Sequence, residues 1–312
     1  MTMTNYNYPG VGRYIDLMFD RGFKRVFGKE ANKDVLIAFL NQIIPGKRIE
    51  DLEFINVEND GLSPESKKSF FDVQCTVDDG STIIVEVQRS NQPYFRERVL
   101  YYASLPILRQ LEAGGAYSLV PVYVVSILNF ALEHERWDEG RIESYYSIRE
   151  ELTGEPMTNA LNFIFIELGR FRKTIQELEN DKEKWYFCLL NMGKFLERPA
   201  ELQAEVFRRL FDVAEVEALP GKEREQYIKD MTTERDIINQ KEFARQEGRA
   251  EGLAEGKAEG LAEGLAKGKT VGLAEGRAEA KAELVKGMLI KGIDIQIIVE
   301  LTGLTESEIR NL

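Results

Sequence analysis

The chain has 312 residues, 43% of them apolar, and a formal net charge of −12. That apolar content supports one sizeable core or one and a half, and the acidic balance argues against a protein that simply coats DNA. With only two cysteines, Cys75 and Cys188, and one histidine, His134, neither a disulfide framework nor a His-rich or Cys-based metal site can be built, so any hydrolytic chemistry must rest on carboxylates, lysines and a hard cation.

The charge is uneven. Residues 1–130 hold 14 Lys and Arg against 16 Asp and Glu, whereas residues 131–312 hold 27 against 37. The N-terminal part can therefore approach a phosphate backbone if its basic residues cluster. No apolar run reaches the roughly 18 residues of a membrane span, and residues 1–14 lack an apolar signal-peptide core; a soluble, cytoplasmic chain is expected. The cysteines lie in apolar stretches and should be buried free thiols. His134, among Glu133, Glu135 and Arg136, reads as part of a solvated loop.

In chain order, residues 1–13 are expected to be disordered. Asp16, Phe19, Asp20, Phe23, Lys24 and Phe27 recur at helical spacing, so 16–27 should be a helix. A second helix is expected over 33–44, ended by Pro45-Gly46, then a strand over 52–57 and a polar turn over 59–66. Between 70 and 88 Phe71, Val73, Cys75 and Val77, then Ile83, Val85 and Val87, alternate with other residues around Asp78-Asp79-Gly80, the pattern of a β-hairpin. A three-residue loop ending in glycine suits a type I turn with a bulge. A helix over 95–111, perturbed at Pro106, strands over 120–128 and 160–167, and helices over 182–196, 201–216 and from 223 onward complete the reading.

From Gly248 to Gly276 a glycine falls at every fourth residue, eight in all, mostly as Ala-Glu-Gly. Helix formers surround them, so a long helix that self-associates along its Gly-Ala stripe is expected, with a flexible tether as the alternative. Residues 285–312 offer a helix near Asp294, a turn at Gly303 and a capping box at Thr305 to Glu308.

The hairpin register carries the chemistry. If the loop is Asp78-Asp79-Gly80, Val77 pairs with Ser81 and Asp72 lies opposite Glu86. Opposed side chains have Cβ atoms about 4.5–5.5 Å apart, and two carboxylates at that distance repel unless a cation lies between them; a hard divalent ion with oxygen ligands fits. Gln88 shares the Glu86 face, and the other face, from Phe71 to Val87, is wholly apolar. A two-residue loop would displace Asp72 by one position. An exposed sheet face with ordinary polar residues remains the plain alternative.

The stretches DRGFKRVFG (20–28), KKSFFDVQC (67–75), IIVEVQ (83–88), FRERVLYYAS (95–104), GGAYSLVPVYVVSILNF (114–130) and FIFIELGRF (163–171) together resemble the recombination-promoting nuclease (Rpn) family of transposases, in the PD-(D/E)xK nuclease superfamily. The resemblance implies an α/β fold with a restriction-endonuclease-like αβββαβ core, followed by an all-helical C-terminal region with a long Gly/Ala/Glu repeat helix. The expected organisation is 1–13 disordered, 14–175 nuclease-like, 176–240 a helical extension, 241–284 the repeat and 285–312 a short helical segment.

The resemblance makes Asp72 and Glu86 the ligands of Mg²⁺, with Mn²⁺ able to substitute, in one site or two. Gln88 stands where many PD-(D/E)xK enzymes have Lys and where the family it resembles often has Gln; it carries no charge and cannot act as a base, but it can orient a water. Lys24 or Lys68 could supply the missing charge. Asp20 is a further helix acid, whose pairing with Lys24 can equally be a surface salt bridge. Arg98 and Tyr102, one turn apart, could contact phosphate and sugar. The activity implied is metal-dependent DNA endonuclease cleavage of double-stranded DNA, linked to recombination, mobile elements or phage defence. The alternative is a weakly active or inactive nuclease-fold module that binds DNA or a partner and oligomerises through its tail.

Overall fold

The computed structural model describes residues 12–55, 71–110, 118–133 and 140–312. Residues 1–11 of the segment 1–13 expected to be disordered, the polar turn, Lys68 and His134 lie outside them. The chain divides into two compact units, 1–234 and 235–312.

In the first unit helices α1 (Asp20–Phe27) and α2 (Lys33–Ile43) precede strand β1 (Leu52–Phe54), the hairpin β2 (Val73–Val77) and β3 (Thr82–Gln88), helix α3 (Phe95–Arg109) and strand β4 (Val122–Leu128). From α2 onward this is the αβββαβ order. Strands β5 (Glu143–Ser147) and β6 (Leu161–Glu167) follow, then α4 (Asp181–Asn191), α5 (Glu205–Val213) and the start of α6 (Gly221–Ile290). The six strands form one sheet in the order β1-β2-β3-β4-β6-β5; β3, β4 and β6 are mutually parallel, the outer strands antiparallel.

Each face of the sheet is covered because each carries apolar residues at period two. Val73, Cys75, Val77, Ile83, Val85 and Val87 face the larger core, with Phe23, Phe27, Phe39, Trp185 and Phe207 from α1, α2, α4 and α5. Ile84, Val122, Val124, Leu128 and Phe165 face the smaller core under Phe95, Val99 and Ala103 of α3. Helices α4 and α5 thus share the core of the nuclease-like sheet.

Several expectations need correction. Helix α1 starts at Asp20, not at residue 16: the Asp16 side chain accepts from Met18 N–H at 2.9 Å, offering the backbone a non-helical alternative. Phe71 leaves the face of Val73 and joins the opposite core with Ile84 and Tyr102, because the chain bends at Asp72 before β2 begins. Strand β5 was not expected at all. It is an edge strand of sequence ESYYS with Tyr145 and Tyr146 both exposed, so it lacks the alternation that marks a half-buried strand. Helix α3 continues through Pro106 to Arg109. Arg13 is held, pairing with Glu215 at 2.9 Å.

Helix α1 is fastened to the first turns of α6. Arg21 pairs with Asp230, Arg25 and Lys29 with Glu223 at 3.0 and 3.9 Å, and Asp16 N–H donates to the Tyr227 hydroxyl at 2.9 Å.

In the second unit α6 runs without interruption through the glycine repeat, and a Cβ built on any of its eight glycines meets nothing within 4 Å. Asp294 caps α7 (Ile295–Thr302), Gly303 ends it at φ +67°, and a Thr305–Glu308 capping box opens α8 (Glu306–Arg310), as the residues indicate. Val285, Ile298 and Ile309 are the buried centre of this unit. Among the described residues no helix is long and apolar enough to cross a membrane. Both cysteines are buried free thiols; burial pushes Cys75 up to about 12.

Candidate active site

The hairpin closes as the loop chemistry requires. Gly80 sits at φ +81° and its N–H donates to the Val77 carbonyl at 2.8 Å; Val77 N–H donates to the Ser81 carbonyl at 3.0 Å. The register pairs Val73 with Val85 and Thr76 with Thr82, which carries Asp72 to the level of Glu86. The bend at Asp72 turns its carboxylate onto β3, where Oδ2 accepts from Val87 N–H at 2.6 Å.

Two cations meet the two acids. Lys24 Nζ lies 3.5 Å from Asp72 Oδ1 and 2.8 Å from Asp20 Oδ1, so its bond to Asp20 is one edge of a three-residue cluster rather than an isolated surface pair. Arg98 Nη2 donates to Glu86 Oε1 at 3.2 Å, and Gln88 Nε2 donates to the same oxygen at 2.7 Å. Arg98 also bonds Gln92 and lies over the Phe95 and Tyr102 rings at 5.7 and 5.9 Å. The structure therefore brings together Asp20, Lys24, Asp72, Glu86, Gln88, Arg98 and Tyr102. Lys68 is outside the described residues.

Burial decides the electrostatics. Asp72 is only 8% exposed; desolvation, and then the neighbouring Asp20 carboxylate, raise it well above the usual carboxylate range, against the Val87 N–H and Lys24. Against the opposing effect of burial, hydrogen bonds to Asp72 and Lys24 hold Asp20 below its usual value. Burial thus favours placing any proton shared by this pair on Asp72 rather than on Asp20. Burial pushes Glu86 up to about 7, with Arg98 pulling the other way. Lys24, despite its own desolvation, is held charged more firmly than usual by Asp20 and Asp72.

No group of three or more His, Cys, Asp and Glu among the described residues is arranged to hold a metal ion. The donor set is a pair of carboxylates. Such a pair suits Mg²⁺, which keeps several waters and takes one or two protein carboxylates. One further observation fits: Glu86 Oε2 is buried with no hydrogen-bond partner among the described residues, and a buried acceptor left unpaired is costly. A cation beside it would satisfy that oxygen and favour both charged carboxylates.

A family model described as PD-(D/E)XK nuclease family transposase matches residues 17–244. The chain belongs to this family. A second model, the Rpn/YhgA-like nuclease family C-terminal HTH domain, matches residues 286–312, the stretch that holds the end of α6, α7 and α8. The capping signals mark both α7 and α8 and do not by themselves point to that likeness. No curated protein and no solved structure matches the chain. Within this PD-(D/E)XK nuclease-family chain, the feature that sequence reasoning missed is the Arg98–Glu86 pair. Its signal was present only as Arg98 lying ten residues past Gln88 on the next helix.

Proposed function

We propose that the protein is a metal-dependent endonuclease that hydrolyses phosphodiester bonds in double-stranded DNA. Asp72 and Glu86 would hold Mg²⁺ or Mn²⁺, which when bound supplies a polarised phosphate and an acidified water. The observation that carries this reading is the buried, opposed carboxylate pair with Glu86 Oε2 unpaired and Lys24 at its edge. Gln88, fixed by its bond to Glu86, presents an amide able to orient a water. Lys24 is placed to offset negative charge that develops on the phosphate. Arg98, released from Glu86, and Tyr102 would contact phosphate and sugar. The family descriptions favour a role in recombination or mobile elements, and phage defence is compatible with the same chemistry.

The domain organisation proposed is a nuclease-like region over 14–175 with the 176–240 helices packed on it, a repeat helix over 241–284 and the C-terminal segment over 285–312. The repeat helix is proposed to self-associate. A second reading, a nuclease-fold binding module of weak or no activity, is favoured by the neutral Gln88 and by Arg98 and Lys24 already neutralising both acids. Plasmid nicking with Mg²⁺ or Mn²⁺ separates the two: cleavage by the wild type that Asp72→Ala abolishes supports the nuclease. Equal silence of both across several divalent metals, with DNA binding retained, supports the module.

A further inference from the structure

We propose that Ser126 is a positioning residue for Glu86, using its hydroxyl to hold the second oxygen of that carboxylate; the inference rests on the metal-site reading above. Ser126 lies on β4, in register with Glu86 on the parallel neighbour β3. Adjacent strands run about 4.8 Å apart, and in-register residues point to the same face. That face meets α3, and Val124 and Leu128, two residues either side of Ser126, belong to its core.

Ser126 is fully buried and Glu86 is 3% exposed. Ser126 Oγ and Glu86 Oε2 are both without a hydrogen-bond partner among the described residues. β4 is otherwise an apolar strand, VYVVSIL, with a single tyrosine hydroxyl, so a lone serine at its centre leaves a hydroxyl where Ala would bury none. A buried hydroxyl that makes no bond is a net cost. The two unpaired atoms are complementary: an ionised carboxylate only accepts, and a hydroxyl can donate. A change of the Ser126 side-chain rotamer, or one water between the two, would join them. Ser144 Oγ is also buried and unpaired, but Phe165 stands between it and Ser126 in the same row, so it takes no part.

Held this way, Glu86 presents a fixed carboxylate to a cation while Gln88 holds Oε1. Groups that orient a ligand in this manner typically change metal affinity about 10- to 100-fold when removed. The competing account is that position 126 needs only a small side chain under Val99 and Ala103 of α3.

The test is Mn²⁺ titration calorimetry on the full chain, with the melting temperature measured in EDTA, for wild type, Ser126→Ala, Ser126→Cys and Asp72→Ala. The expected result is Mn²⁺ binding by the wild type, weakened about 10- to 100-fold in Ser126→Ala with an unchanged or raised melting temperature. Ser126→Cys keeps the side-chain shape with a somewhat larger atom but donates weakly and should behave as Ser126→Ala does. Wild-type affinity in Ser126→Ala or in Ser126→Cys overturns the proposal, and so does a lowered melting temperature accompanying the weakened binding in Ser126→Ala. Absence of Mn²⁺ binding by the wild type itself overturns the metal-site reading, a result distinguishable from these.

Discussion

The hairpin of β2 and β3 and the glycine repeat of α6 are both strictly periodic in sequence, yet only one of them places its residues. The hairpin repeats every two residues, which is the period of a strand; every side chain from Val73 to Gln88 is therefore assigned a face, and both faces are covered. The repeat runs at four, against 3.6 for a helix, so its stripe drifts about 40° per tetrad and no face is fixed. Around that stripe every side chain from 248 to 276 is exposed. A sequence period positions chemistry when it equals the period of the local backbone, and otherwise only advertises a surface.

The largest effect should come from breaking the hairpin's placement. Asp72→Ala and Glu86→Ala are each expected to abolish Mn²⁺ binding in calorimetry and to slow plasmid nicking about 10³-fold, since a metal contributes several kcal/mol to the transition state. Nicking that survives both substitutions would move the site elsewhere. No single substitution between 248 and 276 should slow nicking more than about twofold at saturating protein, if the repeat serves only assembly.

Next comes pH. In the folded chain Glu86 keeps its proton up to about pH 7, while in the unfolded chain it releases it near 4.5. The folded state binds more protons within that window, so metal-free stability must fall as pH rises from about 4.5 to 7 and stay low above it. The size is on the order of 3 kcal/mol. Glu86→Gln should make the fall shallower in denaturant melts at pH 5 and 8, leaving the part that Asp72, raised in the same direction, contributes, and Mg²⁺ should restore wild-type stability at pH 8 more than at pH 5. A wild-type curve already flat without metal would contradict the burial argument.

Much of this was legible in the sequence, for a reason the hairpin makes plain. The loop Asp78-Asp79-Gly80 and the period of two are local, and they sufficed to oppose Asp72 to Glu86. Helix α2 and the caps at Asp294 and Thr305 are local too. What escaped depends on distant partners. The Arg98 side chain could have faced solvent until α3 was laid over β3. Ser126 is a single polar letter in an apolar strand, and its meaning appears only when β4 is set beside β3. Strand β5 forms because β6 offers an edge, not because ESYYS insists on being a strand. Phe71 changes face at a bend that no alternation rule foresees. The Asp16–Tyr227 bond spans 211 positions.

Glycine substitution should give opposite signs in the two regions. Gly80→Ala forces a side chain to φ +81° and should cost about 1–2 kcal/mol in chemical denaturation. Gly256→Ala fills open space on a helix and should add about 1 kcal/mol to helix stability, read as higher helicity in circular dichroism of the tail. Light scattering on the full chain and on one ending at Ala244 then tests assembly: a larger mass that the truncation removes supports self-association, and equal monomer masses leave the repeat as a tether.

Helix α1 presents Asp20 and Lys24 to Asp72 and offers Arg21, Arg25 and Lys29 to α6. Only eight residues long, it is too short to hold itself in place as a helix. The lysine at the site thus leans on Glu223, Tyr227 and Asp230, residues that by secondary structure belong to the tail. The seam at which one such chain could exchange tails with another therefore lies inside a continuous helix, downstream of these turns. A joint placed at Gly221, where the helix visibly begins, would carry away the support of Lys24, whereas one placed beyond residue 234 would leave it intact.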